Sequence, residues 1–312
     1  MKKQDVNEEE WNYLIILDAC RYDIFKEVYS EFLCGNLNKR KSPGSSTTDW
    51  LEKSFTENYD YLYISGNPFI NSSGHSLSQV STGYYSDWKA TDHFSEIVDS
   101  WKLDWNNEYE TVLPEDITKR AVRHLDDKRK TIIHYMQPHR PYIKGDVEIE
   151  NIGLRRAFEK AAYNQTLKEK MKSEVLSALY SLWKRLDIST QFRIKRFLGK
   201  EAKTEKFILE GGKEKILEYY RQNLREALRW IKKLLPYLDG KVIITADHGE
   251  AFGEDGIWWH EYRENSPILL EVPWFEVDMD KHKEGKEIEI KEEVNEERDE
   301  KIMEKLKKLG YS

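Results

Sequence analysis

The clearest chemical signal is an acid and a histidine side by side at the end of an apolar run. Asp247 and His248 follow the sequence VIITA and precede Gly249, which allows the backbone to turn sharply. A carboxylate and an imidazole provide one hard oxygen ligand and one borderline nitrogen ligand, which suits Zn²⁺ or Mn²⁺. Glu250 is placed to fix the ring of a ligating histidine. The pair predicts half of a metal shell, and a capped turn is the alternative.

A second acid ends another apolar run. Asp18 closes the sequence WNYLIILD, and a buried carboxylate is unfavourable unless it is paired or bound to a metal. Asp18 is therefore a candidate metal ligand, with the N-cap of the following helix as the alternative. Arg21 follows closely, and it either binds a substrate oxyanion or pairs with Asp23.

A run of hydroxyl side chains follows a Pro-Gly turn. Ser45, Ser46 and Thr47 precede an amphipathic stretch that begins near Trp50, so a hydroxyl lies at or near a helix N-terminus. Free N–H groups and the helix dipole favour anions there. A hydroxyl is a weak nucleophile alone, but a metal can activate it as an alkoxide. The alternative is an ordinary Ser or Thr N-cap.

Three further histidines are candidates. His134 and His139 bracket a predicted strand end in IIHYMQPHRPY, where prolines fix the loop around His139. His260 lies beyond the glycine-containing loop that follows His248. Together with the Asp-His pair, these histidines are expected to complete a second metal centre or to bind the substrate.

These residues need a scaffold that brings distant strand ends together. Apolar runs predict strands at 11 to 18, 59 to 66, 130 to 137, 241 to 247 and 267 to 275. Helical patterns lie at 22 to 33, 48 to 56, 115 to 127 and 213 to 238. The alternation predicts an α/β fold with a central, largely parallel (mixed) sheet flanked by helices.

One domain spanning residues 1 to 312 is expected, with two regions that depart from this scheme. Residues 153 to 206 read as a basic helical insertion with 14 Lys and Arg against 6 Asp and Glu, a net charge of +8. The insertion is either a solvated helical face or a contact with an anionic substrate or a membrane surface. Residues 276 to 312 read as an acidic C-terminal segment and helix.

Composition excludes several classes of protein. The net charge of −7 over 312 residues gives no reason to expect nucleic acid as a partner. No stretch is apolar for long enough to cross a bilayer, although peripheral contact stays open, and the N-terminus lacks the apolar run of a signal peptide. Cys20 and Cys34 read as reduced thiols, which predicts a cytoplasmic protein. The oligomeric state is left open.

As an ordered set, the motifs resemble the alkaline phosphatase superfamily, and its sulfatase-like branch in particular. ILDACRYD is similar to that family's first metal-ligand strand, MQPHRPY to its central histidine segment, and ADHGEAFGEDGIWWH to its Asp-His-Gly-Glu motif. The resemblance covers about residues 11 to 142 and 213 to 275. It implies that family's fold and a divalent metal cofactor.

The resemblance also implies roles for individual residues. One metal site would consist of Asp18, Thr47, Asp247 and His248, with Thr47 as the nucleophile, because GSST is similar to the nucleophile turn of phosphoethanolamine transferases. Ser45 and Ser46 remain alternatives for the nucleophile. His139 and His260 fall on second-metal or substrate-binding positions. The expected substrate-binding residues are Arg21, Ser46, His134 and His139.

The departures from the family shape the functional expectation. The C/S-x-P-S-R signature of formylglycine sulfatases is absent, and the second site has no obvious acidic ligand, so one Zn²⁺ or Mn²⁺ is expected before two. The sequence predicts a metal-dependent hydrolase of phosphate mono- or diesters acting on an anionic ester. The alternatives are a sulfate or phosphonate ester hydrolase or a phosphotransferase with the same core, and a non-catalytic module that binds a glycan or a partner.

Overall fold

The computed structural model describes residues 1–80, 86–125, 129–145, 186–198, 203–260, 264–283 and 288. Its strands are β1 Lys2–Lys3, β2 Tyr13–Leu17, β3 Gly35–Lys41, β4 Tyr59–Ser65, β5 Phe94–Asp99, β6 Trp105–Asn106, β7 Thr111–Val112, β8 Lys130–Tyr135, β9 Val242–Thr245, β10 Ala251–Phe252, β11 Trp258–Trp259 and β12 Glu271–Val277. Its α-helices are α1 Tyr22–Val28, α2 Thr47–Ser54, α3 Leu77–Val80, α4 Ser100–Leu103, α5 Pro114–His124, α6 Ile188–Phe197, α7 Lys203–Phe207, α8 Lys213–Leu234 and α9 Pro267–Leu270.

An eight-stranded sheet organises the chain, with the strand order β1-β3-β12-β9-β2-β8-β4-β5. The five strands from β9 to β5 run parallel to one another. β12 is antiparallel to both β9 and β3, so the sheet is mixed. The predicted fold class is therefore confirmed. Because β2 lies between β9 and β8, the chain segments that leave the carboxyl ends of these three strands meet at one edge of the sheet.

Successive side chains of the central strands point to opposite faces of the sheet, and both faces are covered by helices. From β2, Ile15 packs into the core that contains Leu224 of α8, whereas Ile16 packs into the core that contains Trp50 of α2. All five residues of β2 are buried. This explains why the strand reads as a continuous apolar run, and it fixes α2 and α8 on opposite faces beside the same strand ends.

Two details of the sequence prediction are wrong. The predicted strand 267 to 275 begins too early, because residues Pro267–Leu270 form α9 and the strand starts at Glu271. Proline fits the first turn of a helix, where its missing N–H is not needed. The strands β3 and β5 were not predicted. β3 has the sequence GNLNKRK, which contains one apolar residue and lacks the signal of a buried strand.

Most of the predicted insertion at 153 to 206 lies outside the described residues, as does most of the predicted acidic segment at 276 to 312. The described part of the insertion includes the helices α6 and α7. Within the described ranges, every helix is too short or too polar to cross a lipid bilayer.

Candidate metal centre

Four of the predicted site residues meet at the edge of the sheet where β2 and β9 end. Asp18 directly follows β2, Asp247 and His248 follow β9, and Thr47 is the first residue of α2. All four side chains are buried, with exposed fractions between 0 and 4%. We call these four residues the first cluster.

Thr47 lies at the centre of the first cluster. Its Oγ1 donates a hydrogen bond of 2.7 Å to Oδ2 of Asp247 and lies 3.4 Å from Nε2 of His248. The same Nε2 lies 3.4 Å from Oδ2 of Asp247 and 3.9 Å from Oδ1 of Asp18. Two carboxylates, an imidazole and a hydroxyl therefore point at one common volume.

The neighbouring hydroxyls have other contacts. Ser46 is the N-cap of α2, and its Oγ accepts a hydrogen bond of 3.3 Å from the backbone N–H of Asp49. Oγ of Ser45 accepts a hydrogen bond of 2.8 Å from the backbone N–H of Glu264. Of the three candidate nucleophiles, Thr47 is the one that the fold brings to the carboxylates.

The outer atoms of the first cluster are held in place. Oδ1 of Asp247 accepts from the backbone N–H groups of Ala19 at 3.0 Å and His248 at 2.9 Å. Nδ1 of His248 lies 2.7 Å from the carbonyl oxygen of Gly249. Because a carbonyl only accepts, Nδ1 must carry the proton, and in the neutral ring Nε2 is left with a lone pair facing the cluster.

Gly249 itself is required by close packing. A Cβ atom there would lie 2.1 Å from the carbonyl oxygen of Ile268, and the N–H of Gly249 donates to the carbonyl of Leu269 at 2.7 Å. The sequence pattern predicts a sharp turn at this glycine. The structure gives a different reason, since the segment after β9 passes directly against α9.

The charges in the first cluster reinforce one another. Burial would raise the pKa of Asp18, but the nearby imidazoles of His134, His139 and His248 lower it below its ordinary value. Burial would lower the pKa of His248, but Asp247 and Asp18 raise it. Asp18 is therefore a carboxylate at neutral pH, which is the form that binds a cation.

His134, predicted to bind substrate, lies beside the first cluster with no exposed surface. Its Nε2 is 3.6 Å from Oδ2 of Asp18, and one ligand atom each from Asp18, His134 and Asp247 lie within 4.8 Å of one another. Its Nδ1 is 2.9 Å from the hydroxyl of Tyr63. Oδ2 of Asp18 also accepts a hydrogen bond of 2.7 Å from the side chain of Asn67.

A second cluster lies next to the first and consists of His139, Glu250 and His260, whose ligand atoms fall within 4.8 Å of one another. Nδ1 of His260 is 3.0 Å from Oε1 of Glu250, and the rings of His260 and His248 are 4.3 Å apart between centroids. The sequence offered no obvious acidic ligand for the second site, and the structure places Glu250 there as a candidate. Glu250 also contacts a candidate histidine ligand, which is the position predicted for it.

Protonation in the second cluster also favours a cation. Burial would raise the pKa of Glu250, but His260, His139 and Arg140 lower it to about 2. Burial is the main cause that lowers the pKa of His260 to about 4. At neutral pH the glutamate is charged and His260 is neutral, and both are then in the form that binds a metal.

One buried polar atom beside each cluster has no hydrogen-bond partner: Nε2 of His134 and Oε2 of Glu250. Leaving such an atom unsatisfied costs about 1–3 kcal/mol. A divalent cation in each cluster would satisfy both atoms. Carboxylate, imidazole and hydroxyl donors are ligands that Zn²⁺ and Mn²⁺ accept, so the residues present fit the implied metal.

Arg21 has carboxylate partners close by. Its guanidinium binds Asp23 through bonds of 3.0 and 2.7 Å and donates to Oε1 of Glu254 at 2.9 Å. Burial would lower the pKa of Arg21, but these two acids raise it. Of the two roles considered for Arg21, the structure shows the pair with Asp23. Through Glu254 it also ties α1 to the segment between the two clusters.

Two supporting residues on α8 were not predicted from the sequence. The hydroxyl of Tyr220 donates to the carbonyl of Ala19 at 2.6 Å and accepts from the N–H of Arg21 at 2.9 Å. Ala19 has a positive φ of 58°, a conformation that costs about 1–3 kcal/mol in a residue other than glycine. Tyr220 thus holds the strained turn that follows Asp18.

The second supporting residue is Asn223. Its Nδ2 donates to the carbonyls of His139 at 3.2 Å and Pro141 at 3.0 Å, and its Oδ1 accepts from the N–H of Ile143 at 2.9 Å. Asn223 is 1% exposed within an otherwise apolar helix face. A buried asparagine on such a face was the available signal, because it needs hydrogen-bond partners.

No protein-family model and no curated protein matches this chain. Among solved structures, it is similar to the soluble domain of lipooligosaccharide phosphoethanolamine transferase A from Neisseria meningitidis, with 14% identity, a TM-score of 0.43, and 90% of this chain and 81% of that chain covered. The integral membrane form of that protein gives 12% identity, a TM-score of 0.43 and coverage of 90% and 51%. A putative sulfatase from Bacteroides thetaiotaomicron has 12% identity and a TM-score of 0.39, with 86% of this chain and 64% of that chain covered.

This chain therefore spans about half the length of the integral membrane transferase. The neighbours include transferases and a sulfatase of the kind that the sequence motifs resemble. At these identities and TM-scores they carry no argument about chemistry, so we infer the function from the two clusters.

Proposed function

We propose that this chain is a divalent-metal-dependent hydrolase of phosphate mono- or diesters in which Thr47 is the nucleophile. The observation that carries the proposal is the position of the Thr47 hydroxyl, 2.7 Å from Oδ2 of Asp247 and 3.4 Å from Nε2 of His248. A hydroxyl that only caps a helix has no need of a buried carboxylate and imidazole. Ser46 already fulfils the capping role for α2.

Asp18, Thr47, Asp247 and His248 would hold one Zn²⁺ or Mn²⁺. When bound, this ion would lower the pKa of the Thr47 hydroxyl and offset negative charge on the phosphoryl oxygens. The backbone N–H groups at the start of α2 supply further positive potential at the same place. The first cluster therefore combines a nucleophile with two sources of stabilisation for a transferring phosphoryl group.

The second cluster would hold a second ion. Glu250 is charged at neutral pH, and its carboxylate would repel a phosphate unless a cation lay between them. His139 and His260 provide imidazole nitrogen donors beside it. The ester would thus be bound across the two clusters, which are adjacent because the rings of His248 and His260 are in contact.

The chemical steps conserve atoms and charge. The Thr47 hydroxyl would lose its proton to solvent when the metal site is occupied. The Thr47 oxygen then forms a bond to phosphorus while the bond from phosphorus to the ester oxygen breaks, and the departing oxygen takes a proton from water. Water next attacks the phosphothreonine, which releases the phosphate and restores the Thr47 hydroxyl.

The decisive experiment measures metal content and turnover together. Purified protein is analysed for metal and assayed against aryl phosphate monoesters, phosphodiesters, phosphonates and sulfates. Thr47→Ala should abolish turnover while keeping most of the metal, and Ser46→Ala, which tests the alternative nucleophile, should keep part of its turnover. Turnover by Thr47→Ala would overturn the assignment of the nucleophile.

The same assays separate the alternatives. Turnover of sulfates or phosphonates alone would replace the phosphoesterase with the related hydrolase, and transfer to an added alcohol would indicate a phosphotransferase. Failure to hydrolyse any ester, together with binding of a glycan or a partner, would identify a non-catalytic module. Asp18→Ala and Asp247→Ala should both lose the first ion while the fold survives.

A further inference from the structure

His134 is a buried polar residue beside the first cluster that the four-ligand site leaves unexplained. It lies in the buried strand β8, flanked by Ile133 and Tyr135, and has no exposed surface. An imidazole in such a position is unfavourable unless both nitrogens have partners. Nδ1 has the hydroxyl of Tyr63 at 2.9 Å, whereas Nε2 has no hydrogen-bond partner.

Nε2 points toward acids that are too far away for a hydrogen bond. It lies 3.6 Å from Oδ2 of Asp18, beyond the usual limit of about 3.2 Å for an N–H···O bond. If Nε2 carries a proton, that proton has no acceptor at normal distance. If it carries a lone pair, that lone pair faces the negative oxygen of Asp18. Neither form is satisfied by the protein alone.

A cation bound to both Asp18 and His134 would give the carboxylate and the imidazole nitrogen a common partner. Ligand atoms that each bind one ion at about 2.1 Å lie about 3 to 4 Å apart, depending on the angle between the bonds. The separation of 3.6 Å between His134 and Asp18 falls in this range, as do the 3.4 and 3.9 Å that join His248 to Asp247 and Asp18.

We propose that His134 is a fifth ligand of the ion in the first cluster, and that Tyr63 is a positioning residue that orients its ring. The inference rests on the proposed function, since it concerns the same ion. The site would then present two imidazole nitrogens with three oxygens from Asp18, Asp247 and Thr47. Imidazole donors favour transition metals over Ca²⁺ and Mg²⁺, so His134 also determines which ions the site selects.

Tyr63 is well placed to fix the ring. It lies on β4 and pairs with Ile132 of β8. His134 is two residues after Ile132, and residues two apart along a strand share a face, so Tyr63 and His134 point to the same side of the sheet. Its ring packs against Phe94 with centroids 4.7 Å apart. Nδ1–H of His134 would donate to the Tyr63 oxygen, which leaves the Nε2 lone pair for the ion.

The test compares metal binding in variants that keep the volume of the strand. One equivalent of Zn²⁺ is titrated into metal-free wild type, His134→Gln and Tyr63→Phe, and X-ray absorption counts the imidazoles around the ion. Tyr63→Phe should weaken binding by about 10- to 100-fold, the range typical for residues behind a ligand. His134→Gln should weaken Zn²⁺ binding further and remove one imidazole from the ion. The parallel variant His248→Gln should have the same effect.

Circular dichroism and the unfolding temperature of the metal-free proteins show whether each variant folds. The inference is overturned if His134→Gln folds, binds Zn²⁺ as tightly as wild type and keeps the same imidazole count. Asp247→Ala separates this failure from that of the proposed function. If Asp247→Ala loses the ion and His134→Gln keeps it, the fifth ligand alone is wrong. If Asp247→Ala also keeps the ion, the metal site itself is wrong.

Discussion

Tyr220 and Asn223 lie three residues apart on the buried face of α8, and each holds a different turn that carries a ligand. Tyr220 donates to the carbonyl of Ala19, beside Asp18, at 2.6 Å. Asn223 donates to the carbonyl of His139 at 3.2 Å. Residues three apart on a helix are neighbours on its surface. One turn of a rigid helix therefore sets the spacing between the first cluster and the second.

Replacing Asn223 should disturb the second cluster selectively. Asn223→Ala leaves the carbonyls of His139 and Pro141 without their donor. We expect a loss of about 1–3 kcal/mol in the free energy of unfolding, together with a lower kcat. The ion of the first cluster should stay bound. Denaturant titration, metal analysis and kinetics test this, with the exposed Glu214→Ala on the same helix as the control. Unchanged kcat would contradict the role of Asn223.

Replacing Tyr220 should act on the first cluster. Tyr220→Phe removes one hydroxyl and leaves the carbonyl of Ala19 and the N–H of Arg21 unpaired in the interior. A destabilisation of about 1–3 kcal/mol is expected, with weaker binding of the first ion because the turn after Asp18 loosens. Zn²⁺ titration of the folded variant measures the second effect. Tyr29→Phe, at a ring that packs on Phe275, serves as the control, and equal affinities in all three proteins would count against the prediction.

Acid should remove part of the stability that Arg21 provides. Burial would raise the pKa values of Asp23 and Glu254, but Arg21 helps to lower them below 3.8 and 4.5 respectively. Groups with a depressed pKa in the folded state stabilise it above their unfolded pKa, and this stabilisation is lost as the pH falls through the folded pKa. The stability difference between wild type and Arg21→Met should thus be largest near pH 7 and shrink below about pH 4.

Chemical denaturation of the metal-free proteins at several pH values tests this. The exposed Lys26→Met on α1 is the control for charge removal. A difference between wild type and Arg21→Met that stays constant from pH 7 to pH 3 would show that Arg21 acts through packing alone.

Metal removal should lower the unfolding temperature. Asp18, Asp247 and Glu250 are all buried within the two clusters. An ion present at 100 times its Kd, and bound only by the folded state, adds about 2.7 kcal/mol of stability. Thermal unfolding with Zn²⁺ and with a chelator should therefore differ in wild type and much less in Asp247→Ala. The same shift in both proteins would exclude the first cluster as the origin of the effect.

The central part of the fold follows from the sequence because the parallel strands are buried on both faces. The runs that became β2 and β9 are apolar throughout, and this pattern was sufficient to place Asp18, Asp247 and His248 at strand ends. β3 was missed because it is polar and belongs to the sheet through its pairing with β1 and β12, which are distant in the sequence. Local pattern does not encode such a pairing.

The site was predictable in its ligand types but not in its contacts. A motif indicates that His134 and Glu250 belong near the chemistry, but not which atom of each faces which cluster. That depends on the order of β2, β8 and β4 in the sheet, which brings Tyr63 and Asn67 beside residues far away in the sequence. Tyr220 and Asn223 act across about 80 to 200 residues, so they were visible only as polar residues on an apolar helix face.

Asp247, His248, Glu250 and His260 belong to one short stretch of chain that contributes to both clusters. An ion bound in either cluster would order backbone that the other cluster also needs. The two binding events are then thermodynamically linked, and each should increase the affinity of the other by the same factor. Calorimetric titration of the metal-free protein should reveal positive cooperativity, and Arg21→Met should reduce it by releasing Glu254 from the middle of that stretch.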